Sequence, residues 1–404
     1  TVLVIAGSAG WAITATLAST RIEQQRSLAQ LAADREKRGK DMLIQLFRRA
    51  DILEADSLGL EPDAAAAMLD DVLATARKSI SDDPVLLADL LNWTARAHLR
   101  AGNQDRAISL AQEELRLVQA SNQKGTLREG SAHGFLANAL ARSGDQDGAK
   151  RHGRLALSFL TAGTSNDPRA LDLLISVAWS HEGDWVRQKE LFVRAAAISS
   201  GTAGPGALIE IHSGLGRALA GLGELEDGRR HIQTAITLVR KSYGDHHPRM
   251  ALPLSELGRL EEKAGNPEAA IRSHRAALAI SVRAFGDAHP SSLAHRNNLA
   301  LALLSADRGA EAVSELEALL AVSPDGLSRG EVAQNLGAAL VQQKRWQRAE
   351  AVLGIAEVTF AKALPADHPR QAFPALSRAE MWLALRRFDR AEADARKAFT
   401  HLGK

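Results

Sequence analysis

One pattern returns every 37 to 42 residues along most of this 404-residue chain, and it constrains what the chain can become. A helix-forming run meets a short polar turn, then an anchor residue, then a small residue three positions on. The eight anchors are Gln104, Gln146, Trp185, Leu225, Pro267, Gly309, Trp346 and Phe388. The small residues are Ala107, Ala149, Gly228, Ala270, Ala312, Ala349 and Ala391, and only Gln188 breaks the rule. A fixed period of this size marks stacked helical hairpins, none able to bury its apolar face alone. Such arrays offer a long concave surface, so the question becomes which partner they hold.

Further small residues support the register. The pairs Leu136-Ala137, Leu215-Gly216, Leu257-Gly258, Leu299-Ala300 and Leu336-Gly337 fall on first helices, where a small side chain lets a second helix cross closely. Ala156, Ala195, Ala235, Ala277, Ala356 and Ala398 recur seven residues after the small turn position, on second helices. Gly102, Gly144, Gly183, Gly223 and Gly265 end first helices, where a left-handed residue is needed. Between hairpins, Gly244-Asp245-His246-His247-Pro248 and Gly286-Asp287-Ala288-His289-Pro290 are followed by a degenerate Ala366-Asp367-His368-Pro369. There Gly stops one helix and Pro starts the next.

Composition agrees with helix: aromatic residues are 4% of the chain, and alanine and leucine dominate. With 50 basic and 48 acidic side chains, no strongly basic field is available to nucleic acid. The chain has no Cys, which removes disulfides, thiolate metal sites and a Cys nucleophile. No cofactor motif is present: HExxH, GxSxG and the P-loop are all missing. His246, His247, His289 and His368 sit in turns about a repeat apart, and the spacing predicts capping roles for them, not a shared metal ion.

Residues 1–20 carry no charge and have the length of a membrane-spanning helix. Gly7 and Gly10 share a face there and would allow two copies to approach closely, as in a homodimer. Residues 21–62 read as a charged helical stalk that includes an apolar face of Met42, Leu43, Leu46 and Phe47. Residues 63–84 read as an N-terminal capping helix, with Asp63 as a helix cap, and Asp83-Pro84 opens the solenoid of residues 85–404. The first Met is Met42, so the true start of the protein is expected upstream.

The Leu-Gly/Ala pairs, the Gly-x-x-x-x-Ala turn and the later Ala resemble the tetratricopeptide repeat. The 42-residue period and the GDxHP linker are similar to the longer repeats of kinesin light chains. This resemblance implies an all-α, right-handed superhelical solenoid of about eight hairpins that binds a protein or peptide in its concave face. By register, first-helix residues line that face: Asn92, Arg96, Asn138, Arg217, Arg259, Asn297, Asn298, Gln334 and Asn335. Asn can clamp a peptide backbone and Arg can take carboxylates. The chain departs from the repeat pattern at Arg378, where Leu is usual.

The order of apolar helix, charged stalk, DMLIQLFRRADILEAD, a helix of the AAAMLDDVLATARKSI type and DDPVLLADLL resembles the region after the catalytic domain in bacterial transmembrane serine/threonine protein kinases. That likeness implies a single-pass inner-membrane protein with periplasmic repeats and a cytosolic kinase upstream. The chain itself has no Gly-rich loop, HRD or DFG. The alternative is a repeat adaptor without kinase activity, tethered or soluble, or the sensor arm of a transcriptional regulator.

Overall fold

The computed structural model describes residues 62–79 and 83–402, apart from 162, 164–166, 200–202, 324–325 and 367. The expected membrane helix and all of the stalk but Pro62 lie outside these residues. Among the described residues no helix is long and apolar enough to cross a membrane.

Among the described residues a single helix, α1 (Pro62–Ser79), precedes eight hairpins. Their first helices are α2 (Pro84–Arg100), α4 (Leu127–Ser143), α6 (Pro168–Ser180), α8 (Pro205–Gly221), α10 (Ala251–Lys263), α12 (Pro290–Ser305), α14 (Leu327–Gln342) and α16 (Phe373–Ala384). Their second helices are α3 (Gln104–Ala120), α5 (Gln146–Ser158), α7 (Trp185–Ile198), α9 (Leu225–Tyr243), α11 (Pro267–Phe285), α13 (Gly309–Val322), α15 (Trp346–Ala363) and α17 (Phe388–Leu402). Every sequence anchor is the first residue of a second helix. The described residues contain no strand; the architecture is an all-helical, tetratricopeptide-like solenoid.

The turn inside each hairpin uses one device. The residue two before the anchor has a positive φ, from 76° at Gly265 to 95° at Gly144 in the first five hairpins. In the last three the place is held by Asp307, Lys344 and Arg386 at 58°, 57° and 55°. In seven hairpins the N–H just before the anchor then reaches back five residues, as from Glu224 to the Leu219 carbonyl and from Arg345 to the Leu340 carbonyl, both 2.9 Å; in the third, Asp184 reaches back three, to His181 at 3.3 Å. These bonds satisfy carbonyls that the end of the first helix would leave bare. The left-handed turn is therefore set by position, and residue type follows it only in part.

Close helix crossing explains the small residues. A Cβ added at Gly216 would overlap Ile232, one at Gly258 would overlap His274, and one at Gly337 would overlap Leu353. Ala107, Ala149, Ala270, Ala312, Ala349 and Ala391 are all buried at the same crossing. Gln188 is buried too, and its Nε2 donates to the Ala178 carbonyl at 3.2 Å. Asp83-Pro84 opens α2 as expected, and the Asp83 carboxylate caps it, accepting from the Leu86 N–H at 3.0 Å; α1 begins at Pro62, so Asp63, the expected cap there, lies inside its first turn. Helix α1 packs Leu69 and Leu73 into the first core cluster, and Asp70 bonds Arg106 at 2.6 Å and His98 at 3.0 Å.

Arg378, the departure in the last hairpin, replaces apolar packing with ion pairs. It bonds Asp394 at 2.8 Å and also Glu357, while Trp382 Nε1 donates to Asp394 at 3.0 Å. These acceptors hold the Arg378 guanidinium above its ordinary pKa, the Asp394 bond first.

Two substitutions test the turn. A Cβ at Gly223 would meet nothing within 4 Å, so Gly223→Ala reports backbone conformation alone. It should cost about 1 kcal/mol in urea unfolding. Lys344→Gly relieves the same strain against a larger unfolded-state entropy and should be neutral or stabilising by up to about 1 kcal/mol.

Candidate functional site

The solenoid touches itself after one turn. His289, at the start of α12, accepts the Ser291 N–H on Nδ1 at 3.1 Å and sets Nε2 2.7 Å from the carbonyl of Arg100 at the end of α2. These residues lie 189 positions apart. Pro290 packs so closely on Gly102 that a Cβ there would overlap it, and Phe285 packs against the first core cluster. The two bonds require one imidazole tautomer, with the proton on Nε2. The His-Pro turn that starts a helix thus also closes a ring. His247 and His368 make the same capping bond, to the Arg249 and Arg370 N–H groups at 3.2 Å each.

Inside the ring is a channel of about 560 Å³, walled by first helices α2, α4, α6, α8, α10 and α12 and by the end of second helix α11. Its arginines are Arg96, Arg100, Arg142, Arg217, Arg249 and Arg259, against the carboxylates Asp172, Glu182, Glu210 and Glu256. Arg217 pairs with Glu182 and stands 5.7 Å from the rings of both Trp179 and Trp185. Glu256 is buried, and Arg217 and Arg259 each approach its Oε1 to 3.8 Å. Arg142 has no ion-pair partner among the described residues. Its surface is open to the channel, yet protein surrounds it, and this burial holds its pKa below the ordinary value. Arg100 and Arg217 add to that shift, and Glu210 and Glu182 oppose it. The buried Nε atoms of Arg217, Arg249 and Arg259 and Oε2 of Glu256 lack hydrogen-bond partners among the described residues. At the wall, burial pushes His295 down to about 4, with His274 and Arg259 adding, so this imidazole is neutral.

The sequence-predicted groove residues separate into three groups. Arg96, Asn138, Arg217 and Arg259 line the channel. Asn92 lies behind the wall, donating from Nδ2 to buried Glu114 at 2.9 Å and accepting from Arg96 Nε at 2.8 Å. Asn297, Asn298, Gln334 and Asn335 are not among the channel-lining residues and tie neighbouring hairpins together: Asn298 to Ser255 at 3.3 Å, Asn335 to Asn297 at 3.0 Å, Gln334 to Ser377 at 2.9 Å. Arg142, Arg249, Glu256 and Trp179 escaped the sequence reading. A register argument assigns faces to helices, but it does not find which hairpins meet around a ring.

Two buried features have no counterpart in the repeat pattern. Burial pushes Glu114 up to about 7, against the Asn92 hydrogen bond and the charges of Arg96 and Arg128. Two histidine pairs, His133 with His152 and His212 with His231, face each other Nδ1 to Nδ1 at 2.8 and 2.9 Å across their hairpins. Burial holds all four imidazoles below the usual histidine value. Each pair has one nitrogen donating and one accepting, which a doubly protonated pair forbids. Among the described residues no group of three or more His, Asp or Glu side chains could hold a metal ion.

Comparison with known proteins agrees with the architecture. The tetratricopeptide repeat family model matches residues 207–281 and 249–325. No curated protein matches the chain. A solved Rap protein complexed with Competence and Sporulation Factor has a TM-score of 0.56 at 12% identity, covering 78% of this chain and 98% of its own. The apo form of RapI has a TM-score of 0.53 at 10% identity, covering 78% of this chain and 86% of its own. A putative kinesin light chain with nearly identical TPR-like repeats, from Podosopora anserina, covers 50% of this chain and 97% of its own at 21% identity, with a TM-score of 0.45. For the two Rap structures, at 12% and 10% identity, the likeness is one of fold.

The titrating groups act in opposite directions on stability. Glu114 binds its proton more tightly folded than unfolded, so its contribution is full below about pH 4.5 and lost as pH rises through about 7. Glu114→Gln should therefore stabilise the protein by about 2–3 kcal/mol at pH 8 and change little at pH 4.5. The histidines bind protons less tightly when folded, so they cost stability as pH falls below about 6.5. Replacing His212 and His231 together with Leu, as the buried Leu91 and Leu110 stand in hairpin 1, should flatten the loss of melting temperature between pH 7 and pH 5.

Proposed function

We propose that this chain is a protein- or peptide-binding scaffold whose ligand lies in the channel of the closed turn. The observation that carries the reading is the channel itself. Unpaired polar atoms of Arg217, Arg249, Arg259 and Glu256 lie at its wall. Buried polar groups without partners cost roughly 1–3 kcal/mol each, and a ligand with complementary groups would recover part of that cost. The mixed wall of guanidinium, carboxylate and indole suits an extended peptide, whose backbone and side chains offer both donors and acceptors. The Rap structure, which holds Competence and Sporulation Factor, supplies a precedent of fold only.

We place this scaffold in the extracytoplasmic part of a single-pass bacterial membrane serine/threonine kinase. Support for that context comes from the pattern of residues 1–100, and the kinase would lie upstream of Thr1. The described residues would then be the arm that meets the signal. A kinase-free adaptor shares the same channel and differs in what is attached to it.

Two experiments separate these parts. Asn138 lines the channel and is half-buried, so Asn138→Trp should fill it. Retention of peptides from a random hexapeptide pool should fall at least tenfold, while Arg151→Trp on the exposed surface should leave it unchanged. Equal retention by both variants would move binding elsewhere. For the context, alkaline phosphatase fused after Lys404 should be active in bacteria expressing the chain with its upstream reading frame. An inactive phosphatase with a fluorescent cytosolic fusion would reverse the orientation.

A further inference from the structure

Glu114 occupies a slot that other hairpins give to alanine. Ten residues after the anchor, six hairpins place Ala156, Ala195, Ala235, Ala277, Ala356 and Ala398, each fully buried. The sixth hairpin places Leu319 there. Hairpin 1 instead buries a carboxyl group with 3% of its surface exposed. An acid in such a place costs stability that an alanine or leucine would not. A group kept at that cost behind the wall of a binding channel calls for a role.

Its connections give that role. Glu114 Oε2 accepts from Asn92 Nδ2 at 2.9 Å, and Asn92 Oδ1 accepts from Arg96 Nε at 2.8 Å. Arg96 stacks over Phe135 at 5.0 Å and reaches Asp172 in the channel at 3.8 Å. One amide therefore links a buried acid to a channel guanidinium. The charged groups facing Glu114 are Asp89 and Arg96 from α2 and Arg128 from α4, with Arg128 bonded to Asp89. On the α1 side, Arg77 is held by the neighbouring Glu113 at 2.7 Å.

We propose that Glu114 is a positioning residue for the channel, whose ionisation sets, through Asn92, how far the Arg96 guanidinium serves the buried cluster and how far an anionic ligand. The proposal rests on the reading of the channel as the binding site. With Glu114 neutral, Asp89 is taken by Arg128, and Arg96 is left to Asp172 and the channel. With Glu114 ionised, the cluster is balanced and Arg96 is drawn inward. Burial puts this change near pH 7. By linkage, an anion bound at Arg96 raises the proton affinity of Glu114 in return.

The test is an NMR titration of the full chain from pH 5 to 9. It follows the Glu114 carboxyl carbon and the Arg96 Nε–Hε resonance. In the native protein both should move with one midpoint near 7. In Glu114→Gln the Arg96 resonance should stay still, and in Asn92→Leu Glu114 should titrate without moving Arg96. Thermal melts confirm that each variant is folded. An Arg96 resonance that is stationary in the native protein, or that moves equally in Glu114→Gln, overturns the proposal. A purely structural Glu114 would leave Arg96 unmoved. In parallel, calorimetry with a glutamate-rich hexapeptide should show binding roughly fivefold tighter at pH 6 than at pH 8, with no difference in Glu114→Gln. The same pH ratio in both proteins counts against the relay. A hexapeptide that fails to bind at either pH sinks the channel reading instead, and the titration still decides the link between Glu114 and Arg96.

Discussion

Close crossing of two helices within each hairpin is the constraint on which the rest depends. The helices approach where Gly216, Gly258 and Gly337 leave room for Ile232, His274 and Leu353 of the second helix, and where a buried alanine stands at the crossing. That approach sets the angle between helices, and repetition of the angle makes the array curve. A bulkier residue at these points would open the hairpin and change the curvature for every repeat beyond it. The apolar area buried is divided among several core clusters along the array, so the structure is held by neighbour contacts more than by one central core.

Curvature then brings together residues that sequence keeps far apart. Hairpin 5 ends against hairpin 1 because the accumulated rotation completes a turn, and His289 finds the Arg100 carbonyl. The Gly-x-x-His-Pro linker has two uses in this frame. Its histidine caps the next helix in hairpins 5, 6 and 8, and at one of those places it also closes the ring. Capping was readable from the turn residues alone. Closure depends on the sum of many small rotations.

The channel collects charge that the chain as a whole conceals. Overall charge is nearly balanced at +2, yet six arginines and four carboxylates converge on one wall, and burial strengthens their interactions. Asn297, Asn298, Gln334 and Asn335 show the converse. Their residue type and helix face fit a clamp, but each has a hydrogen bond taken up by a neighbouring hairpin, while Gln334 Oε1 is left without a partner among the described residues. Polar residues on an inner face can thus serve the ligand or the solenoid, and only the neighbour across the groove decides between them.

Much of the fold was legible in one sequence, since local signals repeat. Anchors marked the first residue of each second helix because polar turn, small residue and apolar spacing coincide there eight times. The left-handed turn at Asp307, Lys344 and Arg386 escaped residue-type reading, for the hairpin geometry imposes it on side chains that do not favour it. Helix content, register, hairpin number and the caps at Asp83 and the linker histidines were determined by sequence, through local hydrogen bonding and packing of near neighbours. Ring closure, the channel, the burial of Glu114 and its link to Arg96 were decided by tertiary structure. Each depends on helices from separate hairpins meeting at ångström distances, and no local pattern encodes the sum of rotations that brings them there.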